Sequence, residues 1–480
     1  MTFVATLGGL LFGYDTAVIS GAVTSIDANF IDPQHLSETA RSSLSGWTVS
    51  SALFGCIIGA IVAGWVSNAI GRKGGMLVAG FLFLISAAGS AYPEFGLGPI
   101  GGMGPAALTP FILYRILCGV GVGIASMLSP LYIAEIAPSR IRGRLVSFNQ
   151  LSIVLGMLLV YFVNWFIASQ GDEAWIRSTG WRLMLVSEAV PALLFLGLLT
   201  LVPDTPRWFA MKGRHDKALA VLNRLVGDEE ARVTMQEIEA SLVVPAHSGA
   251  GLFAFGSMVI VVGVLLSLFQ QFVGINAVLY YAPLMFKNLG ASTDSALMQT
   301  VIVGIANVIF TVVAILTVDR LGRKPLLIIG GLVMGAAMVA LGFLFQANAV
   351  GTGPLIAAVT YIAGFALSWG PVTWVLLSEM FPNAIKNKAM AIAVAAQWIA
   401  NLFVSWSFKI LIGNSALNAM FNHGFPYWVY GVMSFLAAAF VYFYVPETKR
   451  RTLEEIQNLW TRGGASAPAP QSVPKQPVIG

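Results

Sequence analysis

The tripeptide Gly71-Arg72-Lys73 follows the second apolar run of the chain and returns as Gly322-Arg323-Lys324 after the eighth. Two other motifs recur in the same order: Glu135 and Pro138 return as Glu379 and Pro382, and Pro203-Asp204-Thr205 returns as Pro446-Glu447-Thr448. Each recurrence is displaced by about half of the 480-residue chain. Three ordered recurrences indicate an internal repeat, so the sequence predicts two similar halves.

The composition places these halves in a membrane. Only 10% of the residues are charged, 57% are hydrophobic and the mean hydropathy is +0.79. Soluble proteins average about 25% charged residues, so this chain cannot cover its surface with ions. This excludes a soluble enzyme and a disordered scaffold, and 27 basic against 22 acidic residues is too small an excess to indicate a nucleic-acid partner. The prediction is an integral protein of the lipid bilayer.

Crossing about 30 Å of hydrocarbon takes roughly 20 apolar residues in a helix. Twelve runs qualify, at 3–24, 46–68, 76–92, 110–133, 146–168, 182–202, 253–286, 296–318, 326–346, 354–379, 389–412 and 426–445. The run at 253–286 is too long for one straight helix, and Gly274 and Pro283 within it predict a break. We therefore expect an all-α fold with twelve transmembrane helices in two six-helix halves around a central cavity.

The basic residues predict the orientation of the chain. With the N-terminus in the cytoplasm, 21 of the 27 Lys and Arg residues fall in cytoplasmic segments and four in outer ones, as the positive-inside rule requires. Both termini are therefore expected in the cytoplasm. The predicted domains are 1–202 for the first half, 203–252 for a cytoplasmic helical linker, 253–445 for the second half and 446–480 for a partly disordered tail.

Ionisable side chains within the predicted spans need a partner or a function, because each costs about 2.5–3.5 kcal/mol at the bilayer centre. Asp15 and Arg115 lie at similar depths, so they can meet. We hypothesise that Asp15 carries a coupled proton and that Arg115 keeps it ionised when no proton is bound; a fixed ion pair is the alternative. Glu188 is a second coupling candidate or a partner of helix-end amides, whereas Lys409 is expected to snorkel to the outer interface.

Four segments resemble those of a known family: GGLLFGYD at 8–15, QQFVGIN at 270–276, DRLGR at 319–323 and PETK at 446–449. On these motifs, residues 3–460 resemble the sugar porter family of the major facilitator superfamily. The resemblance implies the major facilitator fold, transport of a neutral sugar with D-xylose favoured, coupling to protons, a bacterial inner membrane and function as a monomer.

A neutral sugar has hydroxyl groups that donate and accept hydrogen bonds, and it has apolar ring faces. Amides and aromatic rings are the matching side chains. By resemblance, the sugar-contacting positions are Gln150, Gln270, Gln271, Asn276, Trp374 and Gln397, and the apolar lining is Phe12, Tyr280 and Trp398. Amides in spans can also join helices, at about 0.6 kcal/mol each, and this explains a lone amide better than binding does. Adjacent glutamines beside a broken helix favour binding.

Charges at the cytoplasmic helix ends are predicted to form a latch between the halves. The predicted latch residues are Glu135, Arg142, Arg144, Arg207, Asp319, Arg320, Arg323, Glu379 and Glu447. A single exposed ion pair contributes only about 0–1 kcal/mol, so only a network of pairs can hold the inner side shut. Charges placed for topology alone are the alternative. Asn68-Ala69 and Lys386-Asn387 depart from the family pattern, which predicts a shift toward inward-facing states.

We therefore expect a proton-coupled importer of a monosaccharide that works by alternating access and is not an enzyme. An uncoupled facilitator of glucose or xylose and a membrane sugar sensor are the alternatives. The residues alone indicate only a polyhydroxylated neutral solute, and Met157, which stands where a xylose carrier of this family has an amide, is expected to relax the sugar preference. We expect no metal and no cofactor, because the four His are scattered and Cys56 and Cys118 lie in apolar runs as packing thiols.

Overall fold

The computed structural model describes residues 1–137, 142–243, 252–253, 256–349, 351–382 and 385–449. The predicted tail beyond residue 449 lies outside this part, and so do the side chains of three predicted latch residues, Arg142, Arg144 and Asp319. The ordered elements of the described residues are helices, which agrees with the predicted all-α fold.

The helices of the first half and of the linker are α1 Thr2–Ile26, α2 Glu38–Ala91, α3 Leu108–Ile136, α4 Arg142–Ala168, α5 Glu173–Trp175, α6 Trp181–Val186, α7 Ala189–Thr200, α8 Pro206–Met211, α9 His215–Val226 and α10 Asp228–Val243. Those of the second half are α11 Ser257–Phe272, α12 Ile275–Asn288, α13 Thr293–Leu321, α14 Arg323–Gln346, α15 Thr352–Leu367, α16 Trp369–Met380, α17 Lys386–Ile412, α18 Ser415–Phe421 and α19 Phe425–Tyr444. Short π-helical or 3₁₀ turns lie at Asp27–Ile31, Asp32–Gln34, Gly104–Ala107 and Ile176–Gly180.

The described part crosses the membrane twelve times. Eleven helical segments in it are long and apolar enough to span. One of them, α2, has 54 residues and bends at Gly71, whose φ is 88°, so it crosses twice. Any side chain at position 71 would overlap the carboxylate of Asp204, so only glycine fits this turn between two crossings.

Two crossings of the second half are interrupted within the membrane. Helix α11 ends at Phe272, and α12 begins after Gly274, whose φ of 92° is left-handed. Helix α15 ends at Leu367, and α16 begins after Ser368. The first break is the one predicted from Gly274. Breaks of this kind leave backbone carbonyls without helical partners, which membranes tolerate only where protein buries them or a cavity hydrates them.

The two ends of the helix bundle differ in what they carry. We call the end with Gly71, Pro203, Gly322 and Val445 the linker face, because the linker helices α8, α9 and α10 adjoin it and pack on one another through a small apolar cluster. The other end, which carries Asp27 and the loops before α3, α6, α13 and α19, is the opposite face. The halves contact each other through α1 and α12, α2 and α17, and α4 and α13.

Candidate functional site

Two opposite charges meet inside the first half. Asp15 on α1 and Arg115 on α3 are 100 residues apart in the chain, yet Arg115 Nη1 donates to Asp15 Oδ1 at 2.5 Å. Each residue is only 2% exposed. Their burial means that neither charge is solvated by water, so each depends on the other for its counter-charge.

A second carboxylate joins this pair. Glu188 lies at the junction of α6 and α7, is 1% exposed, and accepts a hydrogen bond from Cys118 Sγ at 3.6 Å. A carboxylate oxygen of Asp15, a carboxylate oxygen of Glu188 and the Sγ atom of Cys118 all lie within 4.8 Å of one another. The structure therefore brings the three predicted coupling residues into one cluster, and it adds Cys118, which the sequence indicated only as a packing thiol.

The cluster holds two acids but one strong base. A single guanidinium neutralises one carboxylate, and a second ionised carboxylate in the same buried space would repel the first. The cluster therefore contains one carboxyl group more than it has cations. The Nε atom of Arg115 is buried without a hydrogen-bond partner among the described residues.

Four of the predicted sugar-contacting amides form one chain in the second half. Gln397 Nε2 and Gln271 Nε2 both donate to Gln270 Oε1, the latter at 3.4 Å. Asn276 Nδ2 donates to Gln271 Oε1 at 2.7 Å. The three glutamines are buried and Asn276 is half-buried, and the Oε1 atom of Gln397 has no partner among the described residues. Amides that bond one another in this way can exchange those bonds for the hydroxyl groups of a ligand.

The broken helices put these amides in place. Gln270 and Gln271 lie in the last turn of α11 and Asn276 lies in the first turn of α12, so the break at Gly274 brings them together. Gln270 Nε2 donates to the carbonyl of Trp369, the first residue of α16, at 2.9 Å. Tyr361 Oη donates to the carbonyl of Val273 at 2.8 Å. At the second break Ser368 Oγ donates to the carbonyl of Gly364 at 2.6 Å, so a side chain bonds a carbonyl at the end of each interrupted helix.

Aromatic residues connect the amide chain to the first half. The rings of Phe12 on α1 and Trp398 on α17 are 5.8 Å apart, and both residues pack against the two main apolar clusters. Tyr280 is buried, whereas Trp374 is 37% exposed. Within the described part, the structure does not join Trp374 or the half-buried Gln150 to the amide chain.

The charge cluster and the aromatic pair lie close together. Phe12 and Asp15 are three residues apart on α1, so their side chains are neighbours on one side of that helix. A molecule that contacted the ring of Phe12 would lie one helical turn from the carboxylate of Asp15. Met157, predicted to influence sugar preference, is buried in the core cluster that both halves share.

One network joins the helix ends of the first half at the linker face. The backbone N–H groups of Arg72 and Lys73 donate to the two carboxylate oxygens of Asp204, at 3.1 and 3.2 Å. The guanidinium of Arg72 donates to Glu135 Oε1 at 2.8 Å, and Thr205 Oγ1 donates to Glu135 Oε2 at 2.6 Å. Burial raises the pKa of Asp204 above its usual value, and these N–H groups offset only part of that effect.

The second half repeats this network. Backbone N–H groups of Arg323 and Lys324 donate to Glu447 at 3.1 and 3.0 Å. Arg323 Nη2 donates to Glu379 Oε1 at 2.9 Å, and Thr448 Oγ1 donates to Glu379 Oε2 at 2.6 Å. The three sequence repeats therefore mark one structural motif used twice.

These contacts differ from the predicted latch. We expected ion pairs between the halves, but the pairs described for Glu135, Arg323, Glu379 and Glu447 each join residues of one half. Two further latch residues, Arg207 and Arg320, are exposed. Prediction also missed Arg72, Asp204, Thr205 and Thr448, although all four lie inside the recurring motifs. The recurrence was the available signal, but it does not say which residues pair.

Contacts between the halves lie instead toward the opposite face. Tyr161 Oη donates to the carbonyl of Leu279 at 3.0 Å, and Thr293 Oγ1 donates to Glu173 at 2.6 Å. Lys409 corrects another expectation, because it does not snorkel to the interface. It is 7% exposed, and its Nζ atom lies 2.9 Å from Asp27 Oδ2 in the other half.

Known proteins resemble this chain over nearly its whole length. Residues 1–460 match the family described as "Sugar (and other) transporter". The D-xylose-proton symporter of Escherichia coli (strain K12) is 56% identical over 469 residues, which cover 96% of this chain and 95% of that protein. The glucose facilitated diffusion protein of Zymomonas mobilis is 48% identical over 461 residues, which cover 96% of this chain and 97% of that protein.

A solved structure shows the same architecture. The inward-open conformation of the xylose transporter XylE from E. coli matches with a TM-score of 0.87 at 52% identity, covering 96% of this chain and 99% of that one. The predicted resemblance and the predicted major facilitator fold are confirmed. Twelve crossings, two repeated halves and a family match over residues 1–460 lead to the same conclusion: this multi-pass membrane protein belongs to the sugar transporter family.

Proposed function

We propose that this protein imports D-xylose together with protons by alternating access, and that Asp15 carries the proton. The observation that carries the proposal is the buried cluster in which Asp15 and Glu188 share the single guanidinium of Arg115. A transporter that only equilibrates a neutral solute has no need for two buried acids and a buried base. Charges in such a place are costly, so they mark a function.

The cluster supplies the proton half of the cycle. With a proton on one acid, the net charge of Asp15, Glu188 and Arg115 is zero, which suits a site closed to water. When the cavity opens and water enters, the penalty for two ionised carboxylates falls and the proton can leave. Arg115 then stabilises the anionic form, and its unpaired Nε offers a second contact. Proton release is thereby linked to the opening of the cavity.

The amide chain and the aromatic pair supply the sugar half. Gln270, Gln271, Asn276 and Gln397 offer donors and acceptors without charge, and Phe12 with Trp398 offers a flat apolar surface. Gln150 and Trp374 complete the set if the halves close around the ligand. A pentose in contact with Phe12 lies one turn from Asp15, so sugar binding and proton binding can influence one another.

The remaining expectations follow from the charge distribution and the relatives. We propose that the linker face is cytoplasmic, with both termini on that side of a bacterial inner membrane, because the basic residues concentrate there. The domain boundaries at 202, 252 and 445 and function as a monomer belong to the same proposal. The predicted latch residues would pair between the halves only when the linker face closes.

Uptake of labelled D-xylose into proteoliposomes, with and without an inward proton gradient, tests the proposal. Wild type should accumulate xylose above equilibrium only with the gradient. Asp15→Asn should lose that accumulation but keep xylose counterflow, because Asp15 is not part of the amide chain. Asp32→Asn is the matched control, since Asp32 forms an exposed pair with Arg41 and should leave both activities unchanged.

Two results would overturn the proposal. If xylose equilibrates at the same rate with and without the proton gradient in both wild type and Asp15→Asn, the protein is a facilitator, as the relative from Z. mobilis is named. Active transport of a hexose without movement of xylose would overturn the choice of sugar and direct attention to Met157, which lies buried on α4.

A further inference from the structure

A buried ion pair crosses between the two halves near the opposite face. Asp27 follows the last residue of α1, and Lys409 lies in the last turn of α17, 382 residues later. Lys409 Nζ donates to Asp27 Oδ2 at 2.9 Å, and the two side chains are 9% and 10% exposed. Neither residue has a part in the proposed proton and sugar sites.

Neighbouring side chains contact both members of this pair. Ser45 Oγ, buried on α2, donates to the other carboxylate oxygen of Asp27 at 2.5 Å. The ammonium group of Lys409 lies 5.9 Å from the ring centre of Tyr281 on α12, which is itself buried. Both oxygens of Asp27 therefore have a donor, as a buried carboxylate needs.

Close contacts between α2 and α17 lie in the same region. Trp406 Nε1 donates to the carbonyl of Ser43 at 3.0 Å, and its ring centre is 6.2 Å from that of Trp47. The backbone of Gly46 approaches the carbonyl of Trp406 so closely that a Cβ there would overlap it. These contacts and the ion pair have to separate together if the halves part at this face.

From this geometry we propose that Asp27 and Lys409 form the gate on the opposite face, and that their pairing sets the balance between the two access states. The inference rests on the alternating access of the proposed function. When the opposite face closes, the two charges are paired and shielded. When it opens, each charge has to be hydrated separately, so the pair opposes opening at the face where external sugar enters.

If the pair forms the gate, removing either charge should change the ratio of the two access states. Removing one charge leaves the other buried without a partner, which strongly disfavours the closed face. We therefore expect Asp27→Asn and Lys409→Met to raise the ratio of outward-facing to inward-facing molecules by at least about tenfold. Lys409→Arg keeps the cation and should change the ratio little. Exchanging the charges, with Asp27→Lys and Lys409→Asp together, should return the ratio toward that of wild type.

Distances between spin labels across the opposite face measure this ratio without any sugar. Labels on Gln170→Cys in the first half and Met420→Cys in the second suit the purpose, because both positions are exposed and the native Cys56 and Cys118 are buried. Each single-charge variant should gain a longer-distance population, measured in lipid nanodiscs. Asp32→Asn, which disturbs an exposed pair within the first half, is the control and should leave the distances as in wild type.

The inference fails if folded, monodisperse Asp27→Asn and Lys409→Met both keep the wild-type distances, or if the charge exchange shifts them further. Should Asp27→Asn not fold, the comparison of Lys409→Met with Lys409→Arg decides the question in the same way. Failure of the proposed function is a separate result. Absence of proton-driven uptake with a normal gate response would overturn symport alone, whereas normal uptake with unchanged distances would overturn the gate alone.

Discussion

The two halves of the molecule share one network at the linker face and differ in their interiors. Arg72 with Glu135 in the first half corresponds to Arg323 with Glu379 in the second, contact for contact. Inside the membrane, however, the first half contains the ionisable cluster around Asp15, whereas the second contains neutral amides and two broken helices. The comparison shows that the repeat preserved the scaffold, while each interior acquired its own chemistry.

The network that both halves share is more deeply buried in the first half than in the second. The side chains of Arg72 and Glu135 are 6% and 8% exposed, and those of Arg323 and Glu379 are 11% and 27% exposed. Water can therefore replace a lost partner more easily in the second half. The first network should therefore contribute more to the free energy of unfolding than the second, whose charges are partly hydrated.

The largest expected effect compares the two arginines. Arg72→Met should lower the free energy of unfolding by about 3–5 kcal/mol, because Glu135 stays buried without its cation. Arg323→Met should cost about 1–3 kcal/mol, because Glu379 is partly hydrated. Denaturant titration in detergent measures both. Arg207→Met, an exposed control, should stay within about 0.5 kcal/mol, and equal losses for Arg72 and Arg323 would contradict the difference in depth.

The next effect concerns the amides of the second half. Gln270→Leu removes the acceptor shared by Gln271 and Gln397 and the donor to the carbonyl of Trp369. We expect the dissociation constant for xylose to rise by about 10–100-fold, which corresponds to about 1.4–2.8 kcal/mol. Isothermal titration calorimetry gives the value. Gln170→Leu alters an exposed glutamine and should bind xylose as wild type does; unchanged affinity in Gln270→Leu would remove the amide chain from the sugar site.

A smaller effect tests the broken helix. Gly274→Ala places a side chain at a φ of 92° and against the ring of Tyr430, and should cost about 1–3 kcal/mol. Gly197 in α7 is the matched control, because it is helical and a Cβ there would meet no atom within 4 Å. Gly197→Ala should be neutral or stabilise by up to about 1 kcal/mol. Thermal unfolding of both variants separates strain at a break from the ordinary effect of alanine in a helix.

The smallest effect lies at the opposite face of the first half, where Glu94 contacts Arg182 through both oxygens at 2.7 and 2.9 Å. Burial tends to raise the pKa of Glu94, but the guanidinium and nearby N–H groups outweigh it and hold that pKa below its usual value. The ionised pair therefore stabilises the fold above the usual pKa of a glutamate, and this contribution is lost as the pH falls through the lowered pKa.

Glu94→Gln should remove this dependence on acid. The variant keeps an acceptor for Arg182 but has no group that ionises. The difference in melting temperature between wild type and variant should therefore be largest near neutral pH and should decrease on acidification. Melting temperatures between pH 7 and pH 3 test it. Asp32→Asn, in an exposed pair, should show no comparable narrowing. A gap that stays constant with pH would show that the charge of Glu94 does not matter.

Sequence reasoning reached the architecture because hydropathy and repetition are local or periodic signals. Twelve apolar runs and the break at Gly274 needed no knowledge of tertiary contacts. Pairing was harder to foresee. Depth along a helix suggested that Asp15 could meet Arg115, but nothing in the sequence linked Lys409 to Asp27, and so Lys409 was expected at the interface.

The predicted latch likewise shows that the sequence does not reveal which charged residues pair. The repeated glutamates were recognised as partners for arginines, yet the sequence could not say whether Glu135 would pair within its own half or across the cavity. That choice depends on which face of the molecule is open, which is a property of the conformation. In the structure the halves meet toward the opposite face, and Glu135 pairs with Arg72.

Closure of each network within one half also orders events during biosynthesis. Asp204 and Thr205, which complete the first network, follow directly after the sixth crossing, so the first half can lock as soon as residue 205 leaves the ribosome. The second network waits for Thr448, near the end of translation. The contact between Asp27 and Lys409 can form only when an early residue, already inserted, is met by a late one. All residues of the first network are thus synthesised long before those that complete the second network and the contact between the halves.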